Sequence, residues 1–392
     1  MNQQLISERV QSVIDDVISW RRHLHTYPEL SFQEEKTAQF VFDTLHSFGD
    51  FELSRPTKTS VIARLIGQET GKVVALRADM DALAIQEEND FSFTSKFPGV
   101  MHACGHDGHT AMLLGAAKIL SQFRDELKGE IRFVFQHAEE IHPGGAQELV
   151  KEGVLDGVDC MIGTHLMSNL KVGQMGVIYG PVTANSDRFD ITIKGKGGHA
   201  STPESAIDPL LIGAQVVTNL QQIVSRNTSP LDQVVVSVTN FQAGTGAYNV
   251  IPDSVKLSGS VRSFGSEVRE STVEAIERII KGNTQAHQAT YELDYRYGYG
   301  SVVNDEEVTK LLEETILQEW GEERVSYLPP LMGGEDFSAY SQTVPSCFVL
   351  IGAGNEEKGI VYPHHHPRFT VDEDALEDGV SLFVHAVHKI LG

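Results

Sequence analysis

Five short apolar runs bounded by turn-forming residues constrain this chain most: "SVIARLIG" (60–67), "KVVALRAD" (72–79), "EIRFVFQ" (130–136), "VDCMIGTH" (158–165) and "SCFVLIGAG" (346–354). Helical patterns separate most of them, and that alternation predicts an α/β domain in which helices flank a largely buried, mixed sheet. The best-supported helix begins near His106, where Leu113, Ala116, Ala117 and Leu120 recur at spacings of three and four on one face. Further helices are expected near 5–24, 304–319 and 373–390.

The middle of the chain breaks this rhythm. "RFDITIKG", "QVVVSVTNFQ", "DSVKLSGSVRSF" and "TYELDYRYGY" read as strands, while "PLLIGAQVVTNLQQIVSR" and "VRESTVEAIERIIKGNTQ" read as helices. The order βαββαβ is ferredoxin-like. Because the α/β pattern resumes afterwards, residues 184–298 are expected to form an inserted α+β domain, with 1–183 and 299–392 as the two parts of the first domain. A length of 392 residues fits two units, since single cores stop growing at roughly 250–300 residues.

A net charge of −23 without any run of Lys or Arg argues against nucleic acid or an anionic membrane as partner and leaves a small molecule. The N-terminal stretch is acidic and amphipathic, unlike a signal peptide, and no apolar run reaches the ~18 residues of a membrane span. Cys104, Cys160 and Cys347 are too few and too odd in number for a disulfide framework. A cytoplasmic enzyme with reduced thiols is the expectation.

Candidate chemistry gathers at "RADMD" (77–81), "HACGHDGH" (102–109), "QHAEE" (136–140), "GTHL" (163–166) and "PHHHPRF" (363–369). Three of these follow predicted buried strands, at the sheet edge where open α/β sheets place their ligand sites. Taken singly, His102, His109, His137 and His142 read as ordinary solvated loop histidines; within the motif, His102 and His109 read as supporting residues and Asp107 as a helix-start or ligand-orienting group. Asp79, Cys104, His106, Glu139, Glu140 and His165 would meet at one edge. One thiolate with imidazoles and carboxylates is a transition-metal donor set rather than one for magnesium or calcium. Cys104 and His106, at i and i+2, lack the C-x-x-C spacing of structural zinc, which favours a catalytic site. Of the two adjacent glutamates, one can ligate and the other can serve as general base, and the residues alone leave open which does which. No H-E-x-x-H, G-x-S-x-G or G-x-x-x-x-G-K-[ST] motif occurs.

"RADMDAL", "HACGHDGHTAML", "QHAEE", "GKGGHASTPE", "NVIPDSVKLSGSVR" and "MGGEDFS", in that order from about Trp20 to the C-terminus, resemble the co-catalytic metallopeptidase superfamily of aminoacylases, acetylornithine deacetylases and carboxypeptidase G. The likeness is strongest to its amidohydrolase branch of hippurate, N-acyl-amino-acid and auxin-conjugate hydrolases. The resemblance implies two divalent ions per subunit, manganese or zinc, with cobalt and nickel as alternatives, held by Cys104, His106, Glu140, His165 and His365. His365 is selected over His364 and His366 by a His-x-Pro pattern. It further implies a bridging Cys104, Glu139 as general base, and Asp79 and Asp81 as groups that orient the ligands. His199 would act on the substrate carbonyl from the partner subunit of a homodimer formed through the inserted domain, and Asn249, Arg262 and Gly334 would contact substrate. The implied reaction is hydrolysis of an N-acyl-amino acid beside its free carboxylate. Alternatives are a dipeptidase or carboxypeptidase of the same fold, or a metal-binding protein without activity.

Overall fold

Strand-forming runs that are apolar on both faces belong in the middle of a covered sheet. A computed structural model describing residues 3–392 places them so. The sheet has eight strands, in the order Glu52–Ser54, Val61–Ile66, Lys128–Gln136, Glu69–Asp79, Cys160–Lys171, Ser346–Gly354, Met175–Val177 and Val325–Tyr327. The central pairings, from Lys128–Gln136 across to Ser346–Gly354, are parallel, whereas Val61–Ile66 joins antiparallel on one side and Met175–Val177 on the other. Leu76, Ile131, Phe133, Ile162 and Ile351 are fully buried within it.

Helices Gln3–Thr26, His106–Ser121 and Asp374–Leu391 contribute Val17, Leu113 and Val380 to the same core. A Cβ on Gly115 would lie 2.6 Å from Val17 Cγ2 and 3.0 Å from Val380 Cγ2, so a side chain there would push the helices apart.

These elements make up one compact unit, the chain up to Val182 with Val302–Pro330 and Asp336–Gly392. A second unit comprises Thr183–Ser301 and Leu331–Glu335. Its four-stranded sheet runs Val234–Ala243, Ser254–Ser263, Asn185–Lys194, Thr290–Arg296, with every pairing antiparallel. The period-2 alternation in Ser254–Ser263 buries Val255, Leu257 and Val261 with Ile212, Val216 and Leu220 of helix Pro209–Gln222 and Ile276 and Ile280 of helix Ser266–Ala286. Asp208 caps the first of these helices, accepting from Leu210 N at 2.9 Å, and Pro209 occupies its first turn.

Candidate metal centre

Parallel strands deliver their C-terminal ends to one edge, and the register sets what meets there. Asp79 pairs with Gln136, and Arg77 pairs with Gly163 on the other side, so Asp79, the Gln136–Glu140 turn and His165 fall at one level. His165 does not follow its strand, as the sequence suggested, but lies within it. Cys160–Lys171 continues because Leu350 to Gly352 keep it paired through Met167.

Among the described residues, the groups of donors with ligand atoms within 4.8 Å of one another include Cys104 with His106 and His165; Cys104 with Glu140 and His365; His106 with Glu139 and Glu140; and Asp79 with His106 and His109. Cys104 thus belongs to two of them. Its Sγ is 3.6 Å from His165 Nε2, and Glu140 Oε1 is 3.3 Å from His365 Nε2 and 3.9 Å from His106 Nε2. His106 Nδ1 engages the Asp81 carbonyl at 2.9 Å, while Nε2, fully buried, has no hydrogen-bond partner among the described residues. Ring orientation by a hydrogen bond at one nitrogen is what presents the other to a metal.

The charges fit a divalent cation. Burial would lower the His106 pKa, but Asp79, Asp81 and Glu140 outweigh it and push it up to about 10. Burial, with Glu140, Glu139 and Asp79 alongside, drives the Cys104 thiol well above its usual range. For His165, burial and the neighbouring His109 and His364 rings hold the imidazole neutral. A pocket with carboxylates in excess over fixed cations, a neutral imidazole and a thiol that ionises on coordination is a metal donor set.

Supporting contacts separate ligand candidates from their holders. Asp79 accepts from Arg77 NH1 at 2.6 Å and meets His109 Nδ1 at 2.6 Å, and His109 Nε2 accepts from Leu166 N at 2.8 Å. Both His109 nitrogens are therefore occupied, and the ring carries orientation from Asp79 to the residue after His165. Asp81 Oδ2 accepts from the Ser31 hydroxyl at 2.6 Å and from Glu140 N at 3.0 Å. Asp107, in the first turn of its helix, meets His25 Nδ1 at 2.8 Å. A solvated reading does not hold for His102, His109 and His137: all three are buried, His102 and His137 in loops at the sheet edge, His137 against Glu148 at 3.0 Å, and His109 in the first turn of its helix between Asp79 and Leu166. His142 is partly exposed.

The three consecutive histidines diverge. His364 Nε2 donates to the Leu166 carbonyl at 2.8 Å, and the His366 ring stacks on Tyr362. His365, at φ 66°, is tied by its amide to Ala103 O at 2.8 Å, next to Cys104.

In the second unit, His199 lies on a two-stranded ribbon and pairs with Val250, and Asn249, in the turn just before that strand, accepts at its carbonyl from Ala200 N at 2.9 Å. His199 is exposed, and its Nδ1 meets the Ser201 hydroxyl at 2.7 Å. Arg262 is half-buried, with hydrogen bonds to the Ser260 hydroxyl and the Val261 carbonyl. Gly334 packs closely on Ser186, whose Oγ would be 2.7 Å from a Cβ at that position.

The profile of peptidase family M20/M25/M40 matches residues 75–389. The N-acyl-L-amino acid amidohydrolase of Geobacillus stearothermophilus is 63% identical over 307 residues, covering 78% of this chain and 83% of that protein. The N-acetylcysteine deacetylase of Bacillus subtilis (strain 168) is 44% identical over 361 residues, covering 92% and 93%. The crystal structure of the Bacillus subtilis YXEP protein, a dinuclear metal-binding peptidase of the M20 family, superposes with a TM-score of 0.85 at 38% identity, over 97% of this chain and 99% of that one. Among the described residues, no helix is long and apolar enough to cross a membrane.

Proposed function

This chain belongs to peptidase family M20/M25/M40 and is a metal-dependent amidohydrolase, and we propose that it hydrolyses N-acyl-amino acids at the amide bond beside a free carboxylate. The observation that carries the reading is the sharing of Cys104 between two donor groups, one with His106 and His165 and one with Glu140 and His365. Those five residues would hold two ions, manganese or zinc, with Cys104 common to both donor groups. When bound, such ions supply a Lewis acid and render water reactive at neutral pH.

The remaining work belongs to side chains. Glu139, buried beside Glu140 and held off the thiol-centred groups, takes the proton of the attacking water and returns it to the leaving amine. Asp79, through His109, and Asp81, through His106 and the Glu140 amide, fix the donors. Among the described residues the hydrogen bonds of Arg262 go to neutral acceptors, which leaves its charge for a substrate carboxylate. His199, with Asn249 beside it, acts on the scissile carbonyl, and Gly334 lies along the substrate backbone. Three unpaired thiols suit a reducing cytoplasm.

The decisive experiment is hydrolysis of N-acetyl- and N-benzoyl-amino acids and of dipeptides by chelated protein, before and after addition of manganese or zinc. Chelation is expected to abolish release of amino acid from the N-acyl substrates and metal to restore it. Preference for dipeptides would move the assignment to a dipeptidase or carboxypeptidase. Silence across the panel with metal bound would refute the proposed reaction.

We assign the inserted segment, 184–298, to a lid that also forms a homodimer. Strand Val234–Ala243 is one of the two edges of its sheet, and Val235, Phe241, Val250 and Tyr248 are exposed on or near it. An open, apolar strand edge is a template for pairing with a second copy. If His199 serves the partner's site, mixing His199→Ala subunits with Glu139→Gln subunits restores activity that neither variant has. Confirmed mixed dimers without that gain would place each site within one chain.

A further inference from the structure

Glu34 is a buried carboxylate, 0% exposed, which the roles above do not use. Its Oε1 accepts from Ala138 N at 2.8 Å and from Phe32 N at 3.0 Å. It stands at the N-cap of helix Glu35–Phe48 without capping it. Glu29 performs that task, accepting from Lys36 N at 2.9 Å and Thr37 N at 2.8 Å. The side chain of Glu34 is therefore directed away from its own helix, toward the turn that carries Glu139 and Glu140.

That turn needs an external hold. Ala138 sits at φ 51°, a conformation that L-residues adopt only when the surroundings impose it. Three residues before Glu34, the Ser31 hydroxyl donates to Asp81 Oδ2, the oxygen that also accepts from the Glu140 amide. Ser31–Glu34 thus grips the turn on both sides of Glu139, at the Ala138 amide directly and at the Glu140 amide through Asp81. We propose that Glu34 is a positioning residue for the general base, setting Glu139 through the Ala138 amide; this rests on the assignment of Glu139 made above. Burial, and then the charge of Asp81, push the Glu34 carboxyl up to about 7. The hydrogen bond from the Ala138 amide opposes them only in part, and what the site requires of Glu34 is an acceptor at the right reach rather than a charge.

Reach and charge are separable by substitution. Glu34→Asp keeps the charge and withdraws the acceptor by one methylene; Glu34→Gln keeps the reach and removes the charge. With metal content measured in every variant, Glu34→Asp is expected to lose about 10- to 100-fold in kcat with KM within about threefold and metal retained, while Glu34→Gln stays within about threefold of wild type. Glu34→Asp combined with Glu139→Gln should be no slower than Glu139→Gln alone, since a residue acting only through Glu139 has nothing left to position. Wild-type kcat for Glu34→Asp, a loss in Glu34→Gln as large as in Glu34→Asp, or multiplicative losses in the double variant would overturn the proposal. Wild-type turnover by Glu139→Gln alone would instead remove the base assignment beneath it.

Discussion

Glu139→Gln lowers kcat about 10³-fold while the protein keeps its metal, its melting temperature and a KM within a fewfold of wild type, within the range of general-base contributions. Glutamine preserves shape and neutral hydrogen bonding but cannot accept a proton from water. Glu139 is 6% exposed and lies in a donor group with His106 and Glu140, outside the two groups that share Cys104. Glu140, by contrast, meets both His106 and His365, and Glu140→Gln should lose metal along with activity. The pair of variants divides the two roles: metal analysis, a chelator titration and steady-state kinetics on one N-acyl-amino acid suffice. Metal loss from Glu139→Gln, or near-normal kcat with metal in place, would take the proton-transfer role away from Glu139.

The sequence made this division conceivable because apolar runs announce buried strands, and residues just after parallel strands share an edge. Asp79 and the Gln136–Glu140 turn were legible in that way, and Cys104 and His106 from their place at a helix start. Contacts between polar groups distant in sequence were not legible. "HDGH" does not show that His106 keeps a free buried Nε2 while His109 commits both nitrogens to Asp79 and Leu166. Nor does "ELSFQE" reveal that Ser31 and Glu34 reach Asp81 and Ala138. Helix Glu35–Phe48 is not among the helices expected from the sequence, although Thr37, Ala38, Val41 and Leu45 carry its 3–4 spacing. The ribbon holding His199 is two residues per strand, too short for any alternation to show.

Arg77→Met should destabilise the chelated protein by about 3–5 kcal/mol, the usual consequence of removing one partner from a buried ionic cluster. Arg77 is among the largest fully buried side chains, and its guanidinium meets Asp79 at 2.6 Å, Asp336 at 2.9 Å and the Gln136 side-chain Oε1 at 2.9 Å. Methionine fills similar volume, so the loss reports charge rather than a cavity. The pH dependence supplies the sharper test. In the wild type, burial raises the Asp79 pKa, but Arg77, His106 and His109 outweigh it and hold the carboxyl well below its usual range. A depressed carboxyl contributes stability above its unfolded pKa and loses it as pH falls. Asp336 is already raised by burial, which Arg77 opposes only in part; without Arg77 it would rise further, burial would carry Asp79 above its unfolded value, and the sign of the Asp79 contribution would reverse: stability would fall as pH rises from about 4 toward neutrality. The gap between variant and wild type in urea midpoint should therefore be widest near pH 8 and shrink toward pH 5. Equal midpoints across that range would mean that the two aspartates are satisfied without Arg77. A gap independent of pH would trace the loss to packing instead, because a methionine that fails only by shape has no reason to respond to the protonation of its neighbours.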